Sequence, residues 1–308
     1  MSADLPPPLE AWNAFRLDEL ARHPWPRAVR YFPSIASTND WALRHGAEST
    51  LNAEPMLGAE PTLNAGGEAA RSDAGLGCQT GEKPVLVLAG EQTAGRGRGA
   101  NRWWSAVGAL TFSLIFELPD QLSPMRRGEL ALVAGLAVRR TVSERCGGIV
   151  TVKWPNDVYV GERKIAGILI ETAAARPPRF VLGIGLNVNN SLAVAPDEVR
   201  SRATALIDLN AGRPLDRTET LLAMLDALQN EMSLWLTAAT PPGEDDWLTR
   251  RWRPHCFLAG RTVRVESGGR ATAGRCLGIS NAGELLIQTE NGGVVAVRSG
   301  VVASFDAV

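Results

Sequence analysis

Apolar residues change their spacing several times along this chain, and each change marks an expected element. Continuous apolar runs at 85–89 and 110–116 predict buried strands. Ser123 and Pro124 open a helical stretch in which Leu130, Val133, Ala134, Ala137, Val138 and Val142 share one face, and Gly147-Gly148 ends it. Short β-branched runs at 149–154, 158–160, 165–172 and 180–188 follow, separated by turn signals such as Asn156-Asp157 and Gly161-Glu162. They predict a mostly antiparallel sheet. A second helix is expected over 217–237, with Asp216 and Glu219 spaced as a capping box and Leu221, Leu225, Leu228, Met232 and Trp235 on one side. A proline-bearing connection with a short helical piece covers 240–254. Beyond it, runs at 262–266, 271–278, 284–289 and 294–297 alternate with glycine turns, which predicts a small β-barrel of about 50 residues. The fold class is therefore α+β, a mostly antiparallel sheet flanked by helices with a small barrel behind it.

The segment before Ser34 is short and rich in proline (Pro6, Pro7, Pro8, Pro24, Pro26, Pro33), so an N-terminal arm with a short amphipathic helix at 12–21 is expected there, not a helix-turn-helix domain. Ser37, Thr38, Asn39 and Asp40 supply capping side chains for a helix continuing through Arg44. From 46 to 84 the composition turns small and polar, with three faint copies of a Leu-Asn-Ala-Glu-Pro-like phrase that are too brief for a solenoid. A long mobile insertion is the expectation there. The division expected is an arm at 1–33, a main domain at 34–254 and a terminal barrel at 255–308.

Composition narrows the class without naming a chemistry. The chain has 308 residues, 45% hydrophobic and 21% charged, which is ordinary for a globular protein and leaves room for one large domain with a small companion. A net charge of −1 argues against a broad nucleic-acid footprint while permitting a local basic site. The four cysteines (Cys78, Cys146, Cys256, Cys276) are far apart and form no Cys-x-x-Cys pair, so structural zinc and a dense disulfide framework are disfavoured. The start lacks the basic and apolar regions of a signal peptide and no run of about 18 apolar residues occurs. A soluble cytoplasmic protein without a membrane partner is the default expectation.

Three stretches carry candidate chemistry. In the first, 91–105, Gly95, Gly97 and Gly99 let backbone approach a ligand, Arg96, Arg98 and Arg102 place three permanent cations in one loop, and Trp103-Trp104 close it. Such a loop suits an anion, although a plain hairpin loop with solvated arginines has the same sequence. It is neither a Walker A loop nor a dinucleotide fingerprint, because it leads into a strand. The second runs from Lys153-Trp-Pro-Asn156-Asp157 to Arg163-Lys164 and on to Glu171. Its lysines can follow an oxyanion and its Asp157 can hold a magnesium ion carrying phosphates. The alternative is an ordinary Asn-Asp turn between surface lysines. The third is Gly183-Ile-Gly185-Leu-Asn187, where glycines inside a strand suggest close approach of a ligand or backbone; Asn187 faces a pocket or simply bonds backbone at the strand end.

Taken together and in this order, Ser37-Thr-Asn39, Gln92-Thr-Ala-Gly-Arg-Gly-Arg98, Lys153-Trp-Pro-Asn-Asp157 with Arg163-Lys-Ile-Ala-Gly167, and Gly183-Ile-Gly-Leu-Asn187 resemble the biotin protein ligases. The resemblance covers roughly 34–209 apart from the insertion, and more weakly the terminal barrel. It implies a catalytic domain like those of class II aminoacyl-tRNA synthetases and biotin synthetases, with an SH3-like barrel. It also implies a two-step reaction through biotinyl-5′-AMP, with ATP and Mg2+ required and a biotin carboxyl carrier protein as acceptor. By resemblance, Lys164 and Arg98 are catalytic, and Ser37, Thr38, Asn39, Gln92, Gly95, Arg96, Gly97, Arg98, Lys164, Gly167, Gly185 and Asn187 bind biotin or its adenylate. Trp103, Asn156, Asp157 and Arg298 would meet ATP, and Asp157 the metal. Arg96 and Arg98 would enclose the carboxylate and phosphate.

Two features depart from the family pattern. After Arg98 the chain reads Gly-Ala-Asn-Arg-Trp where many bacterial members carry a further arginine and glycine, so the outer phosphate contact is unassigned. No helix-turn-helix domain is expected, which implies a monofunctional ligase, monomeric or homodimeric, that binds no nucleic acid. A lipoate or octanoate ligase of the same fold, and a biotin sensor that transfers nothing, are the alternatives.

Overall fold

The computed structural model describes residues 8–46, 83–119, 122–175, 177–238 and 246–306. The expected insertion therefore lies outside the described residues, apart from its two ends. Helices α1 (Leu9–Asn13) and α2 (Leu17–Arg22) precede strand β1 (Ala28–Ile35) and helix α3 (Thr38–His45). Strands β2 (Val85–Gln92) and β3 (Leu110–Glu117) come next, then α4 (Pro124–Gly128), α5 (Leu130–Cys146), β4 (Val150–Lys153), β5 (Asp157–Val160), β6 (Arg163–Ala173) and β7 (Arg179–Leu186). Short helices α6 (Asp197–Arg200) and α7 (Leu206–Leu209) lead to the long α8 (Arg217–Thr237) and to α9 (Trp247–Trp252). The chain ends in β8 (Thr262–Ser267), β9 (Arg270–Ile279), β10 (Leu285–Gln288), β11 (Val294–Val297) and β12 (Val301–Phe305).

Two sheets result. The larger has the order β1-β2-β3-β7-β6-β5-β4, with β1 and β2 parallel and every other pair antiparallel. Strand alternation divides its faces. Leu86, Leu88, Phe112, Leu114, Leu182 and Ile184 join the main core with α5 and α8, while Val85, Val87, Ile115 and Val181 pack beneath Trp41 and Ala42 of α3. Helix α8 follows its expected bounds, with Asp216 accepting from the Glu219 amide, and buries Leu221, Met224, Leu225, Leu228, Met232 and Trp235. At roughly 1.5–3 kcal/mol per fully buried apolar side chain, that face is the larger part of what holds the helix. The smaller sheet, β11-β10-β9-β8-β12, is wholly antiparallel.

Three elements differ from the reading of the sequence. The helix expected at 12–21 is two helices, because the chain extends at Ala14 and places Phe15 edge-on to Tyr31 at 5.9 Å. The expected arm ends inside β1, an edge strand whose alternation is blurred by partial burial and which tolerates Pro33 because an edge strand has one unpaired side. The terminal sheet gains β12 after Gly300, a five-residue edge strand on β8.

Candidate active site

The α3-side face of the sheet carries a glycine floor. Gly167 of β6 faces Gly185 of β7, Leu169 faces Gly183, and Ser113 of β3 faces Gly183 from the other side. A Cβ on Gly183 would lie 2.1 Å from Asn39 Oδ1, and one on Gly185 would lie 2.4 Å from the Trp103 ring. Only hydrogen fits at these two positions. Above the floor opens a cleft of about 940 Å³.

One end of the cleft is neutral and rich in hydrogen bonds. Helix α3 starts there, with Ser37 Oγ accepting from the Asp40 amide, so the capping reading of Ser37 holds. Thr38 donates to Gln92 Oε1 from its amide (2.7 Å) and its hydroxyl (3.2 Å). Ser113 Oγ donates to Asn39 Oδ1 at 2.6 Å and lies 2.7 Å from Thr38 Oγ1. Ser37, Thr38, Asn39 and Ser113 are all buried, so each is both packing and part of the wall.

The other end is cationic. Lys164 Nζ lies 2.6 Å from Asp157 Oδ1 and 5.8 Å from the centre of the Trp103 ring. Lys153 Nζ is held over the rings of Phe305 (4.4 Å) and Tyr159 (5.3 Å). Burial lowers its pKa, as do the neighbouring Lys164, Arg202 and Arg261, while Asp157 opposes them. Asn156 donates to the Ile168 carbonyl at 2.7 Å and thereby docks the bend between β4 and β5 on β6. The Arg202 carbonyl accepts from the Lys164 amide at 2.8 Å and the Thr204 amide donates back to the Lys164 carbonyl at 2.9 Å, which brings Arg202 to the cleft wall.

The loop after β2 folds back on itself. Gly97 donates to the Asn101 carbonyl, Trp103 to the Gly95 carbonyl, and Gly99 takes the left-handed turn with φ 65°. Its arginines have different partners within the protein. Arg96 binds Asp40 at 2.7 Å and Glu171 at 2.8 Å, whereas Arg98 donates to the Gly300 carbonyl of the smaller sheet at 2.5 Å. Burial works against the Arg96 charge, but the two carboxylates outweigh it and raise its pKa.

Of the sequence-expected residues, Ser37, Thr38, Asn39, Gln92, Arg96, Gly97, Arg98, Trp103, Asn156, Asp157, Lys164, Gly167, Gly185 and Asn187 all line the cleft. Gly95 stands behind it, where a Cβ would meet the Trp103 carbonyl at 2.6 Å. Three of the expected residues have partners within the fold. Arg298 points away to Glu284 (3.1 Å) with its side chain 78% exposed, because β11 ends one residue earlier; Gly300 and Val301 reach the cleft instead. Asn187 lines the cleft while donating to the Thr204 carbonyl and accepting from Asn190. Arg96 is paired with Asp40 and Glu171 of its own chain.

Ser113, Glu171, Tyr159 and Arg202 were not singled out by the sequence reading. Period-2 alternation along β6 puts Glu171 on the same face as Gly167, a signal that was available. Among the described residues no group of three or more His, Cys, Asp or Glu side chains forms a metal cage, and no helix is long and apolar enough to cross a membrane.

A glycine floor with a neutral hydrogen-bonding end and a cationic end suits a slender ligand with an uncharged polar head and an anionic tail. Residues 68–189 match the Biotin/lipoate A/B protein ligase family and residues 259–303 the Biotin protein ligase C terminal domain. The chain is 34% identical over 222 residues to the Biotin–[acetyl-CoA-carboxylase] ligase of Mycobacterium tuberculosis, covering 71% of this chain and 78% of that one. It is 32% identical over 213 residues to the Bifunctional ligase/repressor BirA of Bacillus subtilis, of whose length the match spans 62%. The structure of the biotin protein ligase from Aquifex aeolicus in complex with biotin and ATP superposes with a TM-score of 0.63 at 25% identity, over 90% of this chain and 97% of that one.

Proposed function

Because the chain belongs to the biotin protein ligase family, we propose that it couples biotin to a lysine of a biotin carboxyl carrier protein in two steps, using ATP. The observation that carries the reading is the polarity of the cleft, neutral at Thr38, Asn39 and Gln92 and cationic at Lys164, Lys153 and Arg202, across a floor that admits no side chain. Biotin's ureido ring matches the first end and its carboxylate the second.

In the first step a biotin carboxylate oxygen attacks the α-phosphorus of ATP, the bond to the bridging oxygen breaks, and pyrophosphate leaves. Lys164 supplies the charge that lets two anions meet, exchanging Asp157 for phosphate oxygens as it does so. Asp157, released from Lys164, would hold a Mg2+ ion together with the substrate phosphates, and the metal would supply further neutralisation of charge there. Trp103 and Asn156 line the cleft and would border the nucleotide. In the second step the acceptor lysine amine attacks the biotinyl carbonyl, an amide forms, and AMP leaves with its phosphate; the amine proton passes to water. Arg98, docked on the smaller sheet, keeps the loop over the anhydride and limits hydrolysis.

We read the protein as a ligase without operator binding, which its net charge of −1 supports. Mass measurement of a carrier domain incubated with ATP and either biotin or lipoate tests the proposal. One biotinyl group on one lysine is expected. Modification by lipoate alone, or no adenylate with either acid, overturns it, and tight operator binding at moderate salt removes the monofunctional part.

A further inference from the structure

Glu171 touches both the neutral end of the cleft and the glycine-arginine loop. It stands on β6 on the face of Gly167, and its side chain is 20% exposed. Glu171 Oε2 accepts from Asn39 Nδ2 at 2.9 Å and from Arg96 Nη1 at 3.1 Å, and Oε1 accepts from Arg96 Nη2 at 2.8 Å. Arg96 Nη1 is shared with Asp40 at 2.7 Å. Asn39 is thereby fixed at both ends, its amide nitrogen toward an acceptor and its oxygen toward the Ser113 hydroxyl.

We propose that Glu171 is a positioning residue of this site: it fastens the loop 93–102 over the cleft through Arg96 and, through the same carboxylate, sets the Asn39 amide that borders the substrate's uncharged head. Asp40 is the second fastener. The fastening half rests on geometry alone; the Asn39 half rests on the ligase reading. Arg96 is thus paired with two carboxylates, while Lys153, Lys164 and Arg202 line the far end of the cleft beside Asp157. Loop closure and head recognition become one event because a single carboxylate serves both.

Limited trypsin digestion of the ligand-free protein, with cleavage after Arg96, Arg98 and Arg102 followed by mass spectrometry, tests the fastening without using activity. Glu171→Gln keeps the shape and removes the charge, Glu171→Ala removes both, and Asp40→Asn weakens only the loop. Cleavage at least tenfold faster is expected in both Glu171 variants, and several-fold faster in Asp40→Asn. Rising salt should speed cleavage of the wild type more than of Glu171→Gln. In steady state, the Glu171 variants should raise the KM for biotin at least tenfold with a smaller change in kcat, whereas Asp40→Asn should shift cleavage by a larger factor than KM. If Glu171→Ala loses its melting transition, Glu171→Gln and Asp40→Asn decide. Loop cleavage within twofold of wild type in these variants overturns the inference. A wild type that forms no biotinyl-AMP overturns the ligase reading instead, and the digestion still judges the fastening.

Discussion

Gly183→Ala is the smallest change that should disable the neutral end of the cleft while sparing the cationic one. The added methyl would lie 2.1 Å from Asn39 Oδ1, 2.8 Å from its Cγ and 3.0 Å from its Nδ2, closer than atoms tolerate. An ordinary side chain would swing aside. Asn39 is held, however, by Ser113 at 2.6 Å on one end and Glu171 at 2.9 Å on the other, inside a wall that is buried. Moving it sacrifices one neutral hydrogen bond, about 1 kcal/mol, and one to a carboxylate, about 2 kcal/mol. The sum, about 3 kcal/mol, is on the order of a hundredfold in biotin affinity if Asn39 must return for the ureido ring to bind. The same displacement should lower the melting temperature by roughly 6–12 °C. Titration calorimetry with biotin and a thermal melt, on wild type and on Gly183→Ala with Gly128→Ala, where an added Cβ meets nothing within 4 Å, as a surface control, give both numbers. Biotin affinity within threefold of wild type would show that the amide is not where the geometry says it matters.

Further outcomes follow from other contacts. Lys164→Ala should slow ATP-pyrophosphate exchange by about 100-fold, roughly 3 kcal/mol of lost charge stabilisation, with a smaller effect on transfer from preformed biotinyl-AMP; equal losses in both half-reactions would contradict its role at the α-phosphate. Glu129 is buried beneath Trp235, whose indole donates to it at 2.7 Å, and its pKa is pushed up to about 7 by burial, with Arg126 opposing and Asp246 adding. The folded state therefore keeps a proton that the unfolded chain releases near 4.5, so this group's stabilisation is full below that pH and is lost as pH rises through about 7. The loss amounts to about 3 kcal/mol, and urea unfolding at pH 5 and pH 8 should show it in wild type but not in Glu129→Gln. Arg217, fully buried and stacked on Phe15 at 4.2 Å, donates to the carbonyls of Asn13, Gly90 and Ala109, and Arg217→Ala should destabilise by about 3–5 kcal/mol in urea unfolding. A change below about 1 kcal/mol would mean that water replaces the guanidinium there.

What the sequence disclosed depended on whether a signal was local. The bounds of α8 follow from Asp216, Glu219 and a one-sided apolar stripe, all within one segment, and they match to the residue. Strand β1 was hidden because its evidence lies elsewhere: it is a strand only by pairing with β2, more than 50 residues on, and its half-exposed edge erases the alternation that would announce it. The glycines of β7 pointed correctly to close approach, since an interior glycine has few other causes. Which body approaches was not legible. At Gly183 it is the chain's own Asn39 and at Gly185 its own Trp103.

The arginines of the loop carry the same lesson into the chemistry. A guanidinium recognises a carboxylate by geometry, and that geometry is the same for a substrate and for Glu171. Sequence spacing places Arg96, Arg98 and Arg102 together in one loop, but it says nothing about the two carboxylates that α3 and β6 bring to Arg96 from 56 and 75 residues away. With those in place Arg96 is paired within the fold, while Lys153, Lys164 and Arg202 reach the cleft from three other segments. The glycine-arginine loop is fastened through Arg96 and still places Arg98 and Arg102 along the cleft. Its sequence would still be required, because a cover that closes over a reactive anhydride has to be held by bonds strong enough to exclude water and exposed enough to release.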